Sequence, residues 1–172
     1  MKKIFISVSV IGFLLVTVMS AYAAHAKLAP KDMKFMHNAA IGGLLEVRLG
    51  KLAERKAESK DVKDFGARMA AEHGKANGEL RRIAKRKGVT LPAKLDPKDR
   101  KIVYRLSKLS GARFDRAYIS EVVKAHRHDE AAFKWAAHNV KDADVKNFAA
   151  NTLPVVEDHL KMAEDIERTM KK

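Results

Sequence analysis

The chain contains no cysteine. That absence excludes a disulfide scaffold, a thiolate metal site and anchoring through a lipidated cysteine. Runs that alternate with period two and are rich in β-branched residues are also missing, which argues against a sheet. Beyond the first residues no apolar stretch approaches the roughly 20 residues needed to span a bilayer as a helix. No nucleophile elbow or other serine-based triad signature occurs. The glycine pair before Lys51 lacks the spacing and the following Ser or Thr of a phosphate loop.

The N-terminus carries the features of an export signal. Lys2 and Lys3 precede an uncharged apolar run from Ile4 to Met19, followed by the small-residue patterns Ala21-Tyr22-Ala23 and Ala24-His25-Ala26. We therefore expect a signal peptide over residues 1–26, cut after Ala23 or Ala26, and a periplasmic or secreted protein with no transmembrane segment once mature. Residues 27–172 suit one domain with one core, expected at about 33–170. Losing Lys2 and Lys3 from 35 basic residues, against 21 acidic ones, leaves a formal charge of +12. Such a surface favours polyanions. For an exported protein those are anionic envelope components such as lipid head groups, lipopolysaccharide or teichoic acids, with peripheral association at the outer membrane. Export argues against nucleic acid as the partner.

Helical periodicity fills the rest. Asp32 is placed as the cap of a first helix whose inner face reads Phe35, Ala39, Gly42, Leu45, Leu49, Leu52 and Ala53, ending near Ala57. Ser59 is the expected cap of a second helix burying Val62, Phe65, Met69, Ala76, Leu80 and Ile83, closed by Gly88. Asp96-Pro97 opens a short helix with Ile102, Val103, Leu106 and Leu109, and Gly111 breaks it. A long helix is expected from about Ala112 to His138, burying Phe114, Tyr118, Ile119, Val122, Phe133 and Trp135. Asp142 or Asp144 restarts the chain into a last helix, with a kink or short break at Pro154. Gly42-Gly43 is expected to permit close helix approach.

An internal echo organises these helices. Asp61-Val62-Lys63-Asp64-Phe65 is matched by Asp144-Val145-Lys146-Asn147-Phe148, and Glu72-His73-Gly74-Lys75 by Asp158-His159-Leu160-Lys161. Two copies of a helical hairpin, joined by the segment from 88 to 111, predict an all-α four-helix bundle of two antiparallel hairpins with a short extra helix in the crossover.

Several ionisable residues lie on the apolar stripes. Glu46 shares a face with Gly42 and Leu49, His73 with Met69 and Leu80, His126 with Val122 and Phe133, and His159 with Val156 and Ile166. Asp115 also points inward, but about three turns and about 16 Å from His126, so the two cannot share a compact site. His128 turns away from His126 and is expected in solvent. Burying an unpaired carboxylate is costly, so Glu46 must be paired, neutralised or bound to a cation. Two arrangements satisfy these groups: hydrogen-bonded pairs that fix helix register, or a transition-metal site of Glu46, His73, His126 and His159, with zinc, copper or iron as candidates. The basic run Arg81-Arg82 with Lys85-Arg86-Lys87 suits a solvated helix end.

Gly42-Gly43, Glu46-Val47, Leu49-Gly50-Lys51-Leu52-Ala53, Phe65, Met69, His73, Asn77, Leu80, Leu91-Pro92, Phe114-Asp115, Tyr118, His126, Phe133, Leu153-Pro154, His159 and Ala163 together resemble domain-of-unknown-function family 4142 over about residues 33–165. The resemblance implies an exported bacterial protein with a ferritin-like bundle, of the kind often labelled outer-membrane proteins, and implies no established activity. Di-iron proteins of this fold carry Glu-x-x-His on two helices. Here Ala70 precedes His73 by three and Val156 precedes His159 by three, so the di-iron motif is absent. We therefore expect a non-enzymatic exported bundle concerned with metal handling or envelope stress. The alternative is a basic envelope-surface binding protein whose core histidines are purely structural.

Overall fold

The computed structural model describes residues 28–171. The signal peptide expected over 1–26 lies outside the described residues. Five helices follow in order: α1 Pro30–Lys56, α2 Lys60–Arg86, α3 Pro97–Ser107, α4 Gly111–Asn139 and α5 Ala143–Met170. Several boundaries follow the local chemistry expected of them. Asp96 caps α3 by accepting from the Asp99 amide at 2.8 Å, and Asp142 caps α5 by accepting from the amides of Asp144 and Val145 at 3.1 and 3.2 Å. Gly88 ends α2 at φ 66° and Gly111 starts α4 at φ 59°, a backbone region that glycine enters without a Cβ clash.

α1 pairs with α2, and α4 with α5, as two hairpins; α2 then packs on α5 and α1 on α4, with α3 leaning on α1 and α4. This is the four-helix architecture expected from the echo. The structure adds a reciprocal clamp between the hairpins that the sequence did not suggest. Asp32 does not cap its own helix; it is 1% exposed and accepts from the Lys141 and Asp142 amides at the turn of the other hairpin, at 3.2 and 2.9 Å. Asp115 does the same in reverse, accepting from the Glu58 and Ser59 amides at 3.1 and 2.8 Å. Asp32 and Asp115 are separated by the same stretch of sequence as Asp61 and Asp144, so the echo extends to this contact. Ser59 occupies the cap position of α2, but its side chain makes no capping bond; its own amide is the one that donates to the Asp115 carboxylate.

The core has two apolar halves. One gathers Leu49, Phe65, Met69, Phe114, Tyr118 and Ile119; the other gathers Met36, Leu80, Phe133, Val145, Phe148 and Val156. Between them, along α2, α4 and α5, stand His73, His126 and His159. α5 runs continuously through Pro154, so of the kink or short break expected there the break does not occur. Pro154 and the carbonyl-bearing Ala150 one turn before it both face solvent, where water can take the carbonyl that proline leaves free, while buried Thr152 and Val156 hold the helix to the core. Trp135 is 39% exposed, so it belongs to the surface and not to the inward face of α4.

The closest backbone approach of α1 and α2 occurs one to two turns beyond the expected Gly42-Gly43 pair. A Cβ on Gly66 would lie 2.6 Å from Ala53 Cβ and 2.9 Å from the Gly50 carbonyl, and one on Gly50 would lie 2.5 Å from the Gly66 carbonyl. Neither neighbour can yield without parting the helices. Of the expected pair, Gly43 does admit a close approach, since a Cβ there would run into Asn77 Oδ1 on α2, a side chain that can move, whereas Gly42 meets only Asp129 Oδ1 at 3.9 Å. Gly66→Ala should therefore destabilise the bundle by about 1–3 kcal/mol through overpacking. Gly74→Ala, in the same helix with nothing within 4 Å of the new methyl, should stabilise it by about 0.5–1 kcal/mol. Urea unfolding of the two variants checks the opposite signs.

Candidate metal centre

Each imidazole reaches the interior because it occupies a stripe position one turn from a core residue: His73 after Met69, His126 after Val122, His159 after Val156. All three are buried, at 8%, 0% and 0% exposure. One nitrogen from each ring lies within 4.8 Å of the others. The closest pair, His73 Nε2 and His126 Nε2, is 3.3 Å apart. Two ligands of a tetrahedral ion with bonds of about 2.0–2.1 Å stand about 3.3 Å apart, so this spacing already suits two sites on one metal.

The hydrogen bonds fix which nitrogens are free. His126 Nδ1 is 3.2 Å from the Val122 carbonyl; a carbonyl only accepts, so Nδ1 carries the proton and Nε2 presents a lone pair. His159 Nε2 donates to Glu72 Oε2 at 2.7 Å, which leaves His159 Nδ1 as a lone pair, buried and without a partner. His73 Nε2 donates to His126 Nε2 in the metal-free arrangement and becomes a third lone pair in its other tautomer. Burial also keeps these rings neutral. Desolvation first, then the neighbouring imidazoles, hold His73 well below the ordinary value. Desolvation, aided by His159, lowers His126 to about 3. His159 is lowered by desolvation too, against the partial opposition of Glu72. Neutral imidazole is the metal-binding form.

Glu72 leads outward. Its other oxygen accepts from Arg68 Nε at 3.0 Å, and Arg68 Nη2 donates to Asp158 Oδ2 at 2.6 Å. A carboxylate holding the far nitrogen of a ligating histidine fixes its tautomer and orientation. Glu72, Arg68 and Asp158 were not among the residues expected at the site. The signal for two of them was present, since an acid precedes each histidine in the echoed pairs Glu72-His73 and Asp158-His159.

The structure brings together three of the four residues expected as ligands. Glu46 is buried, at 1% exposure, but stands outside the group. Its Oε1 is 4.0 Å from His126 Nδ1, beyond hydrogen-bond reach, and that nitrogen is already committed to Val122. Glu46 Oε2 has no partner. Desolvation, followed by the charges of Asp129, Glu121 and Asp99, pushes the Glu46 carboxyl well above its ordinary range. Asp115 serves the hairpin clamp, and the His128 side chain is 80% exposed, as its helix face implied.

Paired hairpins with polar side chains meeting inside the bundle define a ferritin-like four-helix protein, and comparison with solved structures agrees. The chain superposes on a DUF305 fragment from Deinococcus radiodurans with a TM-score of 0.73 at 11% identity, covering 84% of this chain and 99% of that one. A DUF305 protein from Streptomyces coelicolor, described as a candidate secreted protein, gives 0.70 at 12% identity, covering 82% and 94%. The bacterioferritin-related protein of Bacteroides fragilis, a dodecameric thioferritin, gives 0.63 at 19% identity, covering 84% and 89%. No curated protein matches the chain. Residues 17–166 match the domain of unknown function DUF4142, and the chain belongs to that family.

The lowered imidazole pKa values make stability depend on pH with a definite sign. Between about 3 and the ordinary 6.5, the unfolded chain protonates His126 and the folded one does not, so acidification below 6.5 favours unfolding. Glu46 acts oppositely, because its folded carboxyl keeps a proton that the unfolded chain releases above 4.5. Comparison with a variant isolates the histidine. Between pH 7 and pH 5.5, metal-free wild type should lose about 1 kcal/mol more stability than His126→Gln, measured by urea unfolding at both pH values.

Proposed function

We propose that this protein is an exported, non-enzymatic bundle that holds one transition-metal ion, zinc, copper or iron, on His73, His126 and His159, in metal handling or envelope stress. The observation that carries the reading is the convergence of three buried neutral imidazoles, with nitrogens within 4.8 Å and an orphaned lone pair on His159 Nδ1. An unpartnered acceptor in a dry core is unfavourable by about 1–3 kcal/mol, and a metal ion satisfies it. Imidazole suits zinc, copper and iron, and three protein ligands leave a fourth position open to water or another small ligand. His126 is held by Val122 and His159 by Glu72, so two of the three ligands are oriented before any ion arrives. The missing Glu-x-x-His pairs speak against di-iron oxidation. Export is supported by the leader-like residues before Lys27 and by the secreted character ascribed to the Streptomyces coelicolor relative.

The test is metal analysis of protein purified without a histidine tag. Wild type should carry about one metal ion per chain, and the His73→Ala, His159→Ala double variant should carry none. Absence of metal from both, with no thermal stabilisation of wild type by added zinc, copper or iron, would reject the site.

A second reading rests on charge. With 35 basic residues against 21 acidic ones, and no helix among the described residues long and apolar enough to cross a membrane, the protein is suited to peripheral binding at an anionic envelope surface. Binding to vesicles of anionic lipid should then fall steeply between low and high salt. Equal binding at both salt concentrations counts against it.

A further inference from the structure

On the Nδ1 side of His126 the surface opens into a groove of about 670 Å³ between α1, α3 and α4. That size falls within the roughly 300–1,000 Å³ of small-ligand sites. Its floor is Glu46, 1% exposed, whose Oε2 has no hydrogen-bond partner. Asp99 from α3 and Glu121 and Asp129 from α4 line the same groove. Glu121 is paired with Arg105 at 2.5 Å, and Asp129 has His128 at 3.6 Å. Glu46 and Asp99 have no cationic partner beyond the neutral His126 near Glu46. A carboxyl buried like Glu46 is accommodated either by keeping a proton or by pairing with a cation, and the groove gives a positive group from outside access to it.

The walls describe the rest of that ligand. Phe35, Leu45, Ile102 and Phe133 give an apolar lining, and Trp135 stands at the rim, one of two large exposed hydrophobic residues among those described. An aromatic rim above carboxylates suits an organic cation, which gains from both the ring face and the charge. A bare metal ion fits less well. Among the described residues the histidines alone form a set of three or more donors converging within 4.8 Å, so no three groove carboxylates converge closely enough to hold one. Lys31, Lys34, Lys98 and Lys124 also line it; they repel a free multivalent cation and suit a ligand whose far end is neutral or anionic.

We propose that this groove binds a small organic cation, an amine or guanidinium on an apolar body, with the charged nitrogen against Glu46 and the body along Phe35, Phe133 and Trp135. The site is separate from the three histidines and does not rest on their binding a metal.

Trp135 is the only tryptophan in the chain, so its emission reports occupancy. Titration with 2-phenylethylamine should change that emission saturably, and 2-phenylethanol, of like shape without the charge, should bind about tenfold more weakly. Glu46→Gln should reduce amine affinity to that of the alcohol, while the His73→Ala, His159→Ala variant should bind the amine as wild type does. Equal affinity for amine and alcohol, or full amine affinity in Glu46→Gln, overturns the proposal, as does calcium ion giving the same saturable change and displacing the amine. If Glu46→Gln loses its helical circular dichroism, Asp129→Asn decides: weaker amine binding supports the site and unchanged binding overturns it.

Discussion

Imidazole rings placed in an apolar core are stable there only while they are uncharged and while each polar nitrogen finds a partner. His73, His126 and His159 meet the first condition through burial, which depresses all three. They meet the second only in part. Val122 takes the proton of His126, Glu72 takes that of His159, and His73 and His126 face each other, but His159 Nδ1 has nothing. This layer sits where the two apolar halves of the core join, so the packing of α2 against α5 and the meeting of α2 and α4 across the interior are set around it. Three converging bases in this layer leave one buried lone pair that the protein itself does not satisfy.

The rest of the bundle supplies the rigidity such a layer needs. Each hairpin lends one aspartate to the turn of the other, and both carboxylates accept backbone amides that no helix could satisfy. The two hairpins are thereby locked in register at both ends of the molecule. Within the first hairpin, Gly50 and Gly66 let α1 and α2 meet backbone to backbone. The second hairpin has no such pair and carries Pro154 on its outer face instead.

His126 divides two environments. Its Nε2 edge looks into the histidine layer, and its Nδ1 edge is bonded to Val122 beside the carboxyl of Glu46. Glu46 therefore belongs to the groove of α1, α3 and α4, where burial first and the other carboxylates second raise its pKa. Basic residues dominate the chain as a whole, yet this concavity gathers Glu46, Asp99, Glu121 and Asp129. The short helix α3, which looks like a mere connection between hairpins, contributes Asp99 and one wall.

Periodicity is a local property, and the sequence was enough for whatever periodicity controls. The five helices, their hairpin pairing through the echo at Asp61 and Asp144, the cap at Asp96, and the inward faces of Glu46, His73, His126 and His159 are all read from spacing and side-chain chemistry, while the last cap is narrowed only to Asp142 or Asp144. Depth and partnership are not local. A stripe places Glu46 and His126 inward alike; only the packing of α1 against α4 decides that Glu46 opens to a groove while His126 turns its free nitrogen toward α2. Asp32 reads as a cap from its position, and only the arrival of the Lys141 turn converts it into a clamp between hairpins. Glu72 reads as a surface acid beside His73, and only the approach of α5 brings it to His159. The sequence determined which groups enter the core because helical geometry alone sets a residue's direction, and the tertiary structure decided which of them meet because that depends on how far and at what height separate helices approach.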